Sequence, residues 1–347
     1  MNGWSPSRSY DGRRMGALSL LLGFLPVVLF LAALILMDSY ELVTRRSILA
    51  ALMAGAAAAL LCSLANQLLV VHLRLDVDVL RRYVAPVLEE SVKAMYIVYL
   101  IRSSRVGFLV DAGIQGFAVG TGFAIIENLY YASATRDQGL GLWIVRGLGT
   151  AVMHGSATAI VAILSKSLTE RRSSMSPKLF LPGIALAAVA HSLFNQFILS
   201  PFVSTAAMLI VMPLLVGIVF ERSEKATREW LGTDLDSEVE LLDLIQSGEI
   251  AETPVGTYLA SLNRFPGRVV ADMLCLLRIH LELSLRAKGI LIAHSAGVHL
   301  PVDDQVRANL EEMRYLERSI GKTGKIAIKP ILRTSARDLW EIYMLRG

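Results

Sequence analysis

Between Met15 and Phe220 the chain is almost continuously apolar, broken only by short polar connectors. A run of roughly 20 apolar residues is long enough to cross the ~30 Å hydrocarbon core of a bilayer as a helix. In that medium only helices and closed barrels satisfy every backbone N–H and C=O. The apolar runs here are continuous and not alternating, so a helical bundle is expected. Composition agrees, because 54% of the 347 residues are hydrophobic and only 18% charged, against about one-quarter in soluble domains.

A polar segment, residues 1–14, carries Arg8, Arg13 and Arg14 and precedes the first run, Met15–Met37. That run is too long for a signal-peptide core, and Asp38-Ser39-Tyr40 offers no small-residue cleavage site. A retained transmembrane helix is therefore expected, with Pro26 as its kink position. Ser47–Val71 is a second, Ala-rich span with Gly55 among its small residues. Tyr83–Ile101, Phe108–Ala132, Leu140–Ser165, Leu179–Leu199 and Phe202–Phe220 bring the set to about seven. Pro201 parts the last two, which should form a tight hairpin or one broken helix. The expected fold class is all-α: a polytopic transmembrane helical bundle over 15–220, with a C-terminal soluble helical region over 221–347.

From Glu221 onward the composition changes. This tail holds 17 Lys+Arg and 19 Asp+Glu, which leaves residues 1–220 with a net charge of +6. A basic excess fits loops against anionic lipid. No Lys/Arg run or basic–aromatic interleaving occurs, so nucleic acid is not expected as a partner. Thr233–Ile250, Phe265–Ile292 and Asp303–Ile320 read as amphipathic helices, with Leu235, Val239, Leu242 and Ile245 at helical spacing. The tail is assigned to regulation or to binding a cytosolic partner. Its His280, His294 and His299 are expected to be incidental. Basic residues follow several spans, Arg136 after the fourth and the Lys166–Lys178 loop after the fifth. Seven spans put the N-terminus and the tail on opposite sides although both are basic, so the positive-inside rule gives no clean answer. The Lys166–Lys178 loop and the tail share a side and together outweigh the N-terminus, and a cytoplasmic tail is the expectation. The two cysteines, Cys62 and Cys275, form no disulfide framework and no metal motif.

Against this apolar background a few charges stand out. A carboxylate at the centre of a membrane helix costs about 2.5–3.5 kcal/mol even on insertion scales, so such residues usually serve a function. Glu89, Glu90 and Lys93 share the third span, with Lys93 three residues from Glu90 and four from Glu89, close enough to neutralise either. In the fourth span Gly116, Gly120, Phe123 and Glu127 fall within a narrow arc of one helix face. The glycines admit a neighbouring helix, and the carboxylate is directed into that contact. His154 lies in the fifth span; His191 and Asn195 lie one turn apart in the sixth. Singly, each has a plain alternative: an interfacial Glu pair, a packing motif, a hydrogen-bonded core histidine. Together they supply, on four consecutive spans, the groups that activate water. A carboxylate in a dry pocket can act as general base while imidazole and amide donors stabilise an oxyanion. Alternatively, Glu127, His154 and His191 can hold a zinc ion that activates the water.

In this order EExxK (Glu89, Glu90, Lys93), FxxxE (Phe123, Glu127), an isolated histidine (His154) and HxxxN (His191, Asn195) resemble the PrsW intramembrane proteases. These belong to the superfamily that includes the CAAX prenyl proteases. The resemblance covers residues 80–200. It implies peptide-bond hydrolysis within or beside the bilayer, by a multi-pass protein of the cell membrane (a bacterial inner membrane), with membrane proteins as substrates. It further implies site-1 cleavage of a membrane-bound regulator such as an anti-sigma factor. Glu89 or Glu90 would be the water-activating base with Lys93 orienting the pair. Glu127 would be a proton shuttle or ligand, and His154, His191 and Asn195 would polarise the carbonyl or bind metal. The family often carries Asp where this chain has Asn195, which limits that position to orientation or oxyanion donation. The family is labelled a metalloprotease while its prenyl-protease relatives are argued to be metal-free glutamate enzymes, so zinc stays open. Two rivals compete: a proton- or ion-coupled transporter, against which no inverted repeat is found, and a non-catalytic scaffold acting through its tail.

Overall fold

The computed structural model describes residues 7–134, 140–172, 175–196, 198–301, 303–332 and 336–345, and contains no strand among them. The chain divides into two compact units, Met1–Asp38 with Leu42–Ser223, and Ser39–Glu41 with Glu224–Gly347.

The first unit contains α1 (Ser7–Leu36), α2 (Arg45–Leu73) and α3 (Val77–Val79), the last running through a π-helical turn, Leu80–Val84, into α4 (Ala85–Arg102). Then come α5 (Leu109–Ala134) and α6 (Leu140–Ile144), which passes through a second π-helical turn, Val145–Thr150, into α7 (Ala151–Arg172). α8 (Leu181–Gln196) and the first part of α9 (Pro201–Ser247) complete it; α9 residues from Glu224 onward belong to the second unit. Local chemistry sets several boundaries. The Thr44 hydroxyl accepts from Ser47 N at 3.2 Å and caps α2, which ends at Arg74 in the left-handed region. Pro86 sits in the first turn of α4, where its missing N–H costs nothing.

Among the described residues, five helical segments are long and apolar enough to cross a membrane: Arg45–Leu73, Leu109–Ser133, Leu140–Arg172, Pro177–Gln196 and Pro201–Ser247. Of the remaining expected spans, the apolar stretch Leu21–Leu36 is shorter, and α4 carries Glu89, Glu90, Lys93 and Arg102. The protein is a multi-pass membrane protein with an all-helical fold. Two boundaries differ from expectation, and the break at Pro201 agrees with it. α1 begins at Ser7, so residues 7–14 are helical despite their polarity; residues 1–6 and Arg136 lie outside the described residues. α8 and α9 are separate helices, with Pro201 as the first residue of α9. α9 does not stop at Phe220, because no breaker intervenes and pairs such as Arg228–Glu224 (3.0 Å) support the next turns.

α5 and α7 form the centre of the bundle. Their apolar windows are 83% and 72% buried, against 6% for α9, whose large apolar side chains, Ile210, Leu214 and Ile218 among them, face outward as lipid-solvated residues do. The α5–α7 contact is made backbone to backbone. A Cβ at Gly116 would lie 2.6 Å from the Thr158 carbonyl oxygen, and one at Gly120 would fall on the His154 carbonyl. Gly55 of α2 and Gly122 of α5 admit the α2 backbone to the other side of α5 in the same way.

The second unit adds α10 (Pro254–Ser261), α11 (Gly267–Ser295), α12 (Asp304–Ile328) and α13 (Ala336–Met344). Met273, Leu276, Ile279 and Leu283 of α11 interlock with Val306, Leu310, Met313 and Leu316 of α12, both at helical spacing. Asp303 caps α12, accepting from Val306 N at 2.9 Å. Inside this unit Lys288 is fully buried between Glu238 (2.6 Å) and Glu341 (3.6 Å), and the Ser284 hydroxyl lies within hydrogen-bond distance of both carboxylates. Cys275 is half-buried here and Cys62 is buried in α2, neither of them in a disulfide.

Two predictions follow from these contacts. Gly120→Ala should lower the unfolding temperature in detergent by forcing α5 and α7 apart, at a cost of about 1–3 kcal/mol. Gly217→Ala, with nothing within 4 Å of the added methyl, should not. In the second unit, burial pushes the Glu341 carboxyl up to about 8, against the opposing pull of Lys288. A raised folded-state value means this contribution to stability is complete at acidic pH and is lost as pH climbs through about 8. Hydrogen exchange of α11 and α13 should accelerate over that interval, and Glu341→Gln should flatten the rise.

Candidate active site

Four helices of the first unit bring their polar residues to one place. α4 carries Glu89, Glu90 and Lys93 on its second and third turns; α8 brings His191 against them. The Glu90 Oε1 atom lies 2.6 Å from Lys93 Nζ and 3.0 Å from His191 Nδ1. Glu90 and Lys93 have fully buried side chains. Lysine only donates, so Glu90 accepts from it as a carboxylate, and His191 Nδ1–H is the second donor. That fixes the tautomer of His191 and turns its Nε2 lone pair toward Glu89, whose Oε2 is 3.9 Å away. The gap is too long for a hydrogen bond and within the span of a bridging ion or water.

α5 and α7 supply the other half. His154 Nδ1 lies 3.1 Å from Lys93 Nζ, which leaves the ring proton on Nε2, 2.9 Å from Glu127 Oε2. The other Glu127 oxygen is 3.3 Å from Arg146, which stands in the π-helical turn before α7. π-helical turns of this kind recur at functional sites. Arg146 Nε donates to Asn128 Oδ1 at 2.9 Å, its guanidinium lies 3.5 Å from the Tyr131 ring centre, and Asn128 Nδ2 donates to the Gly23 carbonyl at 2.8 Å. The Phe123 ring sits 4.4 Å from Lys93 Nζ and 4.9 Å from the His154 ring, which stands edge-on to His191 at 4.7 Å.

The expected residues thus converge, with one exception and one regrouping. Asn195 does not join the cluster. One-turn spacing puts it on the His191 side of α8, but its amide donates to the Arg81 carbonyl at 3.0 Å and ties α8 to the π-helical turn before α4. The residue facing the two imidazoles is Glu89, not the expected Glu127. Ligand atoms of Glu89, His154 and His191 all lie within 4.8 Å of one another, while Glu127 is engaged by His154 and Arg146. Exposure separates the carboxylates further, with side-chain values of 13% for Glu89, 27% for Glu127 and zero for Glu90. Sequence reasoning missed Arg146 and Asn128. The available signal was a lone arginine inside an apolar span, eight residues before His154.

Buried carboxylates and imidazoles gathered in a membrane-embedded helical bundle are the equipment of an intramembrane hydrolase. The family described as PrsW family intramembrane metalloprotease matches residues 40–218, just over half of the chain, and the chain belongs to that family. Membership makes it a membrane protease whose substrates are membrane proteins in the lipid bilayer. Searches of the curated proteins and of the solved structures return no match.

The metal that the family description implies can be tested against the donors present. One carboxylate and two imidazoles suit a zinc-type ion. His191 has in Glu90 a carboxylate hydrogen-bonded to its other ring nitrogen, as ligating histidines usually do. Glu90 Oε2 is buried with no hydrogen-bond partner among the described residues, a site where a polar group is expected. To ligate, His154 must exchange Lys93 or Glu127 for the ion. The set fits on chemistry, with Glu89, His154 and His191 as the holders.

Arg146→Met should remove the fixed partner of Glu127 and lower the unfolding temperature, at a cost of about 1–3 kcal/mol because Glu127 is partly solvated. Arg146→Lys should recover only part of this, since it retains the charge and loses both the Asn128 bond and the stacking on Tyr131.

Proposed function

We propose that the protein is an intramembrane endopeptidase in which Glu89 is the water-activating carboxylate. The observation that carries this reading is the placement of Glu89, the accessible member of the Glu pair, against the free Nε2 of His191. Water held between them loses a proton to Glu89 as its oxygen adds to the substrate carbonyl carbon. The same carboxyl then returns that proton to the departing amine as the C–N bond breaks. Glu90 and Lys93 form a buried pair that fixes His191; Glu127 and Arg146 fix His154 from the other side. With Nδ1 engaged by Glu90, His191 turns Nε2 toward the water beside Glu89 and orients it. A cation held by Glu89, His154 and His191 would supply Lewis acidity at the carbonyl when bound.

The bundle over 15–220 is taken as the protease and the tail over 221–347 as its regulatory or partner-binding part, on the cytoplasmic side. A membrane-bound regulator of the anti-sigma-factor type is the substrate we favour, because site-1 cleavage of such regulators is the role that the motif resemblance implies.

In proteoliposomes with a single-span reporter substrate, Glu89→Gln should lower turnover by about 10²–10⁴-fold. His191→Ala should do comparable damage, while Asn195→Ala should stay within about tenfold of the parent, since its amide contacts backbone away from the reacting atoms. Undiminished turnover in Glu89→Gln would remove this residue from the mechanism. Loss of anti-sigma-factor processing in cells carrying the same variant checks the substrate assignment.

A further inference from the structure

A second group of metal-ligating side chains stands in the tail unit, sharing no residue with the intramembrane centre. Glu41, from the Ser39–Glu41 segment, meets His294 in the last turn of α11 and His299 just beyond it. We propose that these three residues form a divalent-cation site of zinc type.

The geometry carries the inference. One ligand atom from each residue lies within 4.8 Å of the others. Glu41 Oε2 is 3.2 Å from His299 Nδ1 and 3.9 Å from His294 Nδ1. A tetrahedral ion with bonds of ~2.0–2.1 Å sets its ligands ~3.3–3.4 Å apart, which these separations bracket. The two imidazoles are tilted at 59° with centres 5.6 Å apart, so they are not stacked face to face.

The backbone is shaped to bring the residues there. Gly297, at φ +75°, turns the chain after α11 and returns His299 toward His294. Glu41 itself adopts φ 49°, a left-handed conformation that non-glycine residues take up rarely and that often marks a functional constraint. The Tyr40 carbonyl, 3.4 Å from His294 Nδ1, adds an oxygen beside the set. An ion pair alone accounts poorly for the arrangement. The side chains of His299 and Glu41 are 71% and 49% exposed, where single pairs contribute little. Two imidazoles around one carboxylate are, by contrast, a donor set that zinc prefers. Three protein ligands leave further positions to water, so a site that exchanges its ion with the surrounding solution is expected.

The test uses the full-length chain in detergent, purified without a histidine tag, stripped with a chelator and titrated with Zn²⁺ against a chromophoric competitor. His294→Ala/His299→Ala should bind one ion fewer than its parent, both in the natural sequence and in a His191→Ala background that disables the intramembrane set. Glu41→Gln should weaken the same event by about tenfold or more. Zn²⁺ should also raise the unfolding temperature of His191→Ala, and this shift should vanish when His294 and His299 are replaced as well. If the double variant fails to fold, Glu41→Gln and His299→Gln, both at exposed positions, give the same readout. Equal stoichiometry and affinity with and without these side chains would overturn the proposal, and would leave the assignment of Glu89 untouched.

Discussion

Lys93 and Glu90 stand 2.6 Å apart with no exposed surface, in the third apolar segment of a membrane bundle. Two charges out of water are tolerated only when the pair is close and its remaining donors and acceptors are used. Here all but the second Glu90 oxygen, Oε2, are used on named partners. Lys93 reaches His154, Glu90 accepts from His191, and the Phe123 ring covers the ammonium. Removing one member of such a pair costs about 3–5 kcal/mol, because the other charge is left behind uncompensated. Both histidines take their tautomers from this pair. It therefore decides which imidazole nitrogen faces Glu89 and which faces Glu127.

Around that pair the site divides into two halves. Glu90 and His191 join α4 to α8, while Glu127 and His154 join α5 to α7. The Lys93–His154 contact links one half to the other. Accessibility follows a different line, since the buried residues hold the geometry and the two partly exposed carboxylates, Glu89 and Glu127, border the space where a substrate can come. On the mechanism proposed above, the adjacent glutamates of a single motif have separate tasks, one holding structure and one placed for chemistry.

Much of this was legible in the sequence. The helical class followed from uninterrupted apolar runs, and the motif residues were recognisable because charge in such runs needs a reason. Helical spacing tells which face a residue occupies but not which partner meets it there. For that reason Glu89 and Glu90 were indistinguishable, and Asn195 was placed with His191 when its amide is bound to the Arg81 carbonyl. Arg146 is 19 residues from Glu127 along the chain, and a local π-helical turn aims it, which no periodicity argument anticipates. The Glu41–His294–His299 group is farther still from anything that spacing reveals, with over 250 residues between its members.

The contact between α5 and α7 has a consequence for how such a protein can change over evolutionary time. Their register is set by main chain resting on main chain at Gly116 and Gly120, so it is insensitive to which side chains line the rest of the bundle. Lineages can therefore exchange lipid-facing and substrate-facing residues widely while Glu127 and His154 keep the same offset. At these two glycines a methyl group would collide with a carbonyl, so substitution there is costly. A chain built this way can diverge far from its relatives in overall identity while keeping a small set of short motifs in fixed order.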